Sequence, residues 1–505
     1  MLDPLPDSAT ALDTALHTLS CRSERSLPPA GYDVPLRPSF MFVFSGDGSG
    51  FRASQDTTYV DRRDAVVRCL AILWRAEGIP EDRIREVVLV FSGDHRVFRV
   101  QPKVVMSCPT PIERGVLELL ELGSRAPGIE VYHGRDTFDA LAPVVRSYGS
   151  GCVVALHECY GIDLDVPPSL NLTPMWRPTD VLFVLGGVRD LTTSEERALA
   201  RSCTAAKVPC IGVRVGRVVE FSSKLAAILL ARALHCDNDA AHSLPTCLAM
   251  FVQAAPVDPL RRDNCHGQMT PGKAMVVQGK RTPKVTYVVL LDVALQPLSV
   301  AQAERHRLYR LQRLLIATLW SSKAGGRMLS AHASSNSTVS RSIVLVGQDR
   351  SSIEVNSRFV QHLSATGRAA PTERNVLSTL AYEPSTHTPG VHYHDGVPTL
   401  GRPDTVALNL TANEGSVPSL HQVLRATDGA AHYVVIMDLV VASSDTATQR
   451  SKSFAHSAGL APPQACTVSP LGPPLSAFAS LSQAVTEFHT PMPDFHVGGD
   501  PRTDH

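Results

Sequence analysis

A series of short segments in residues 40–235 returns in the same order in residues 285–490, and this repetition constrains the fold more than any single motif. EVVLVF (86–91) is answered by SIVLVG (342–347), CLAILW (69–74) by LIATLW (315–320), and VLFVL (181–185) by YVVIM (433–437). Pro111-Ile112-Glu113-Arg114 is answered by Pro371-Thr372-Glu373-Arg374, and Pro127-Gly128-Ile129 by Pro389-Gly390-Val391. VVALH (153–157) pairs with TVALN (405–409), which sets His157 against Asn409, and CIGVRVG (210–216) pairs with CTVSPLG (466–472). The offsets run from 246 (315 against 69) to 262 (389 against 127). A period that long means a duplicated domain, because solenoid repeats are only some tens of residues long.

Within one unit the pattern alternates between strand and helix. FMFVF (40–44), VVLVF (87–91), VVALH (153–157), VLFVLGG (181–187) and CIGVRV (210–215) are short apolar runs of the kind buried in parallel sheets. Between them, Ala65, Val66, Cys69, Leu70, Ile72, Leu73 and Ala76 form one stripe of a helix over about 61–76. Thr110-Pro111-Ile112-Glu113 spells a second helix start, with a cap, a proline and a capping-box glutamate. The expected fold is α/β: two tandem domains with mostly parallel sheets, 40–235 and 285–490. Residues 236–284 form a linker, and 1–39 and 491–505 are poorly ordered tails.

Composition narrows the class. Hydrophobic residues make up 44% of the chain and charged residues 19%, enough apolar material for a core in each unit. No apolar run approaches the ~20 residues of a membrane span, so no membrane partner is expected. Lys+Arg and Asp+Glu both total 48, so a nucleic-acid partner would have to be met by a local patch. The 11 cysteines include no CxxC pair, and the spacing of His235, Cys236, His242 and Cys247 matches no common zinc site; no metal is expected. The odd count and the absence of a signal peptide favour a reducing compartment, the cytoplasm first, with the mitochondrion or nucleus left open.

The first unit resembles the TrmY family of SPOUT methyltransferases, which methylate N1 of pseudouridine in tRNA. The likeness is carried by Arg63-Asp64-Ala65-Val66-Val67-Arg68-Cys69, ALHECYGIDL (155–164), FVLGGVRDLTTSEE (183–196) and GVRVGRVVEFSSKLAAILLARAL (212–234). Arg62 stands where the family has glycine, and Pro470-Leu471-Gly472-Pro473 gives the second unit a closer Leu-Gly-Pro loop. The resemblance implies a trefoil knot at the end of each unit and S-adenosylmethionine as cofactor. It also implies RNA (tRNA or rRNA) as substrate, and an intramolecular pseudo-dimer in place of the usual dimer.

On that resemblance the cofactor would lie along Leu185, Gly186 and Gly187 and along Val213 and Gly216, where missing Cβ atoms allow close approach. Consecutive strand ends are also where open α/β sheets bind ligands. Methylating a ring nitrogen requires an oriented base and removal of a proton. Asp64, His157 and Glu158 are the candidates for that work, and Arg62, Arg63 and Arg68 for phosphate contacts. Each has a plainer explanation: a helix-start carboxylate, a strand-end histidine, a solvated helix face. The second unit places Arg310 against Asp64, Leu314 against Arg68, and Asp438-Leu439 against Gly186-Gly187. It is therefore expected to lack a working site. Two functions follow: an RNA methyltransferase with one active site in the first unit, or an inactive SPOUT-derived scaffold for ribosome or RNA-particle assembly.

Overall fold

The computed structural model describes residues 36–52, 63–73, 83–108, 112–157, 162–164, 178–215, 222–234, 244, 247–249, 252, 283–291, 294–295, 305–320, 341–366, 376, 388–411, 417–427, 430–439, 444–468 and 477–489. Residues 1–35 and 490–505 and nearly all of 236–282 lie outside this set, so most of the expected tails and linker are not described.

In the first half the strands are β1 (Arg37–Phe44), β2 (Val87–Phe91), β3 (Arg96–Val100), β4 (Ile129–His133), β5 (Cys152–Leu156), β6 (Ile162–Asp163), β7 (Asp180–Gly186) and β8 (Cys210–Arg214). They form one sheet ordered β4-β3-β2-β1-β7-β5-β8-β6. The second half supplies β9 (Lys284–Leu290), β10 (Arg341–Val346), β11 (Ser352–Asn356), β12 (Val391–His394), β13 (Thr405–Leu410), β14 (His432–Asp438) and β15 (Gln464–Cys466). Their order, β12-β11-β10-β9-β14-β13-β15, matches that of the first sheet strand for strand, apart from β6. Pairing is antiparallel at β2-β3 and β3-β4 and at their counterparts β10-β11 and β11-β12. The strands on the other side of β2 and β10 are all parallel.

The helices of the first half are α1 (Arg63–Ala71), α2 (Pro102–Met106), α3 (Ile112–Leu122), α4 (Thr137–Arg146), α5 (Thr193–Ala206) and α6 (Ser222–Leu234). Those of the second are α7 (Arg305–Leu319), α8 (Ser357–Ala365), α9 (Leu420–Ala426), α10 (Ser444–Ser457) and α11 (Ala477–His489). Side chains alternate across each strand, so each sheet has two apolar faces to cover. On β1, Phe40, Phe42 and Phe44 face one way and Met41 and Val43 the other. The first set joins Val181, Phe183 and Leu185 under α1, α3 and α6, and that core runs without a break into Tyr287, Val289, Val435 and Met437 of the second half. The opposite faces have separate cores, under α4 and α5 in the first half and under α10 in the second.

The two halves therefore share one interior, and the helices between the sheets make it. α11 packs against α6 and α7, and α6 packs against α1. Polar groups are satisfied across the seam. Arg313 on α7, 5% exposed, donates from Nη1 to the Ala71 carbonyl at the end of α1 (2.6 Å). Lys224 on α6, 0% exposed, donates to the carbonyls of Ala317 (3.0 Å) and Trp320 (2.5 Å) at the end of α7. Cations suit these positions because the last carbonyls of a helix lack intrahelical partners and carry its negative pole.

At the N-terminal ends of the central strands, equivalent positions carry different polar clusters. In the second half His432 is buried, with Nε2 3.0 Å from Thr286 Oγ1 and Nδ1 3.2 Å from Thr405 Oγ1. Burial first, then the charges of Lys284 and Arg402, push its pKa down from 6.5 to about 4. The folded protein thus keeps His432 neutral while the unfolded chain takes up a proton below its ordinary value. This stabilisation is complete above pH 6.5 and is lost as pH falls from 6.5 towards 4. Urea titrations at pH 7 and pH 4.5 should show wild type losing on the order of 1–2 kcal/mol more than His432→Gln, after allowance for solvent screening. Equal losses would show that His432 does not titrate differently on folding.

Candidate functional site

β1, β2, β7, β5 and β8 all point the same way, so their C-terminal ends gather at one edge of the first sheet. The chain reaches this edge by an unusual route. It leaves β5, runs to the far rim at β6, returns to the middle for β7, and then lays β8 into the gap between β5 and β6.

The turn after β7 is the tightest point of this edge. Gly187 N–H donates to the Val43 carbonyl (2.7 Å), and the Gly186 carbonyl accepts from Ser222 Oγ at the start of α6. The strand end and the α6 start are thereby joined directly. Neither glycine has room for a side chain. A Cβ on Gly186 would lie under 3.0 Å from the Arg189 carbonyl, and one on Gly187 under 3.0 Å from the Phe44 ring. The fold's own packing thus requires both glycines.

Arg189 and Glu195 brace the turn. Thr192 and Glu195 form a reciprocal capping box at the start of α5. Glu195 also accepts from Ser92 Oγ (2.8 Å) and pairs with Arg189 (3.1 Å). Burial alone would raise the Glu195 pKa, but the hydrogen bonds from Thr192, Arg189 and Ser92 together outweigh it and hold the carboxyl below its usual range. The GDGSG segment (46–50) forms a turn tied down by Gly48 N–H to Asp94 Oδ1 (2.9 Å) and by Arg96 to the Gly48 carbonyl (3.3 Å). Beyond it, Arg63 lies over the Phe51 ring, 5.7 Å from the centroid.

The candidate residues fall on two faces. Leu185 and Val213 are buried on the face covered by α6, and Asp64 is buried on α1, which packs on that same helix. Asp64 is 1% exposed and pairs with Arg68 at 2.5 Å, one helical turn away. His157 lies on the other face. Its N–H donates to the Val213 carbonyl (2.9 Å), and its Nδ1 is 3.5 Å from Glu196 Oε1 in the first turn of α5. Both of these side chains are enclosed. Asp64 and His157 are therefore not brought together. Glu158, Arg62 and Gly216 lie outside the described residues.

Ser222 and Glu196 were not among the sequence candidates. Glu196 sits in the acidic helix start that the motif 183–196 contains, but one sequence cannot show that it turns inward to a histidine. Ser222 bonds Gly186 across 36 positions of sequence, a separation that no local pattern bridges.

Register settles the comparison between halves. Val43 pairs with Gly186, and Leu290 with Asp438; Gly187 N–H bonds Val43 O as Leu439 N–H bonds Leu290 O (3.0 Å). Asp438-Leu439 thus replace Gly186-Gly187, as the sequence alignment had it. Asp438 is paired with Arg450 (3.2 Å), which also donates to the Leu291 carbonyl (3.3 Å). The alignment of His157 with Asn409 needs correction. His157 N–H bonds the Val213 carbonyl, and it is Thr411 N–H that bonds the Cys466 carbonyl, so Thr411 is the counterpart. A slip of two residues keeps every side chain on its face, so the apolar pattern could not expose the error.

No family model and no curated protein matches this chain. Among solved structures it is similar to the crystal structure of Archaeoglobus fulgidus Nep1 bound to S-adenosylhomocysteine. The identity is 14% and the TM-score 0.26, over 44% of this chain and 100% of that one.

Proposed function

We propose that the first half is an S-adenosylmethionine-dependent RNA methyltransferase of SPOUT type. Its target class is N1 of pseudouridine in tRNA or rRNA, and the second half is its non-catalytic partner in an intramolecular pseudo-dimer. The observation that supports this reading most is the crossing itself. β8 lies between two strands that are consecutive in the chain, and the next helix returns to bond the Gly186 carbonyl. We read that route as a threaded knot, a rare exception to the usual rules of chain connection.

On this reading the backbone of Leu185, Gly186 and Gly187, with Val213 and Gly216, would hold the cofactor. When bound, the cofactor supplies an electrophilic methyl group. The chain's own share is to orient the base and shelter the reacting atoms. Asp64 shares a face with Leu185 and Val213 and is the carboxylate best placed to act there, through its hold on Arg68. His157, backed by Glu196, shapes the end of β5 from the opposite face, with Glu158 next in the chain. Arg63 and Arg62 are the proposed phosphate contacts at the rim.

Calorimetric titration with S-adenosylmethionine should give one site per chain, since Asp438, paired with Arg450, stands in the second half where the first has Gly186. Two equivalent sites would defeat this assignment. Transfer of labelled methyl to a pseudouridine-containing stem-loop tests the chemistry. The scaffold reading draws on the burial of Asp64 and His157 and on the zero formal net charge. Absence of binding at millimolar cofactor would favour it.

A further inference from the structure

Lys224 is fully buried, and its identified hydrogen bonds run to the other half of the molecule. Burying an ammonium is costly, and a well-packed apolar side chain in its place often serves stability as well or better. Its placement suggests a different use. Lys224 stands two residues after Ser222, which holds the Gly186 carbonyl, and its Nζ grips the end of α7. One turn of α6 therefore links the glycine crossing of the first half to a helix terminus of the second. The link is one-sided, because α11 (AFASLSQAVTEFH), the closing helix of the second half, has no lysine or arginine.

We infer that Lys224 is a positioning residue through which the second half holds the first half's crossing in its ligand-binding shape. The inference rests on the methyltransferase reading for the ligand but on geometry alone for the linkage. A duplicated partner without a working crossing is then retained because the working one needs an external anchor. Arg313 provides a built-in comparison. It makes the same kind of contact across the seam, but to the carbonyl at the end of α1.

The test uses the full chain as wild type, Lys224→Met, Lys224→Arg and Arg313→Met, with folding checked by circular dichroism. Two readouts are taken: the Kd for S-adenosylmethionine and amide hydrogen exchange at Gly187. Lys224→Met should weaken binding about tenfold, equivalent to about 1.4 kcal/mol of coupling. It should also speed exchange at Gly187. Lys224→Arg should recover most of both effects, and Arg313→Met should lower stability while leaving both unchanged. Should Lys224→Met fail to fold, Lys224→Gln takes its place, keeping a donor without the charge. Binding and exchange unaltered in the Lys224 variants, or altered equally in Arg313→Met, would overturn the inference. A wild type that binds no S-adenosylmethionine would overturn the methyltransferase reading; the exchange data would then still decide whether Lys224 anchors the crossing.

Discussion

Gly186→Ala is expected to destabilise the first half by about 3 kcal/mol or more, the scale of forced overpacking in a closed site. The added Cβ meets the Arg189 carbonyl, which is backbone and cannot swing aside as a side chain would. Relief requires moving the 187–191 turn, and three contacts resist this: Gly187 N–H to Val43, Ser222 Oγ to Gly186, and Arg189 to Glu195. The clash at Gly187 is with the Phe44 ring, stacked on Phe91 at 5.3 Å, which has slightly more freedom to shift. Urea unfolding should therefore rank Gly186→Ala as worse than Gly187→Ala, with any cofactor binding lost in the first. A Gly186→Ala protein within about 1 kcal/mol of wild type would mean that the turn is soft and its close packing incidental. The comparison also shows why a glycine-to-aspartate change is a poor probe of cofactor binding here: it disturbs folding before it reaches any ligand.

Much of the architecture was legible from the chain, and the failures have physical causes. Most parallel strands of the first half were read to within three residues, because strands buried on both faces are continuous apolar runs such as VVLVF, observed at 87–91, but the two-residue β6 went unread and β1 begins at Arg37, inside the expected 1–39 tail. The antiparallel strands β3 (RVFRV) and β4 (IEVYH) went unread. Arg96 and Arg99 stand on opposite faces of β3 and Glu130 lies on β4, so charge interrupts the apolar run, and alternation over five residues is a weak signal. The helix expected over 61–76 is observed over 63–71, and 74–76 lie outside the described residues.

At the site, the glycines were found for a partly different reason than the one the structure supplies. They were expected to admit a ligand, and they turn out to admit the protein's own carbonyl and ring. Asp64 and, separately, His157 with Glu158 were candidates for one site because the resemblance carried both segments there. A strand's period of two decides which face a residue serves, and Leu156 and His157, adjacent in sequence, fall on opposite faces. Sequence order is silent on which face carries the shared interior, because that depends on where the second sheet docks.

Removing the Glu86 carboxylate should have the next largest effect, and the second half says why. Glu86 is 6% exposed and accepts two hydrogen bonds from Arg99 (2.8 and 2.9 Å) and one from Tyr148 Oη (2.9 Å). Arg85 lies over the Tyr148 ring at 4.5 Å and pairs with Asp180 at 3.6 Å, so the cluster ties β2, β3, β7 and the end of α4 together. The tyrosine's own proton is held firmly, since burial first and the neighbouring Glu86 charge next raise its pKa far above the ordinary value. In the second half the matching register position is Ser342, whose hydroxyl meets Thr286 (3.0 Å), which in turn meets His432 (3.0 Å). Glu86→Ala leaves a guanidinium and a phenol facing an apolar gap, a loss of about 3–5 kcal/mol on the scale of broken buried pairs. Ser342→Ala removes one neutral hydrogen bond, at about 1 kcal/mol. The double change Glu86→Ser with Arg99→Met, which removes both charges and puts the second half's serine at the first position, should recover a large part of the Glu86→Ala loss. If the double variant is no more stable than Glu86→Ala, the penalty lies in lost packing around Tyr148, and the charge left without its partner is not its source.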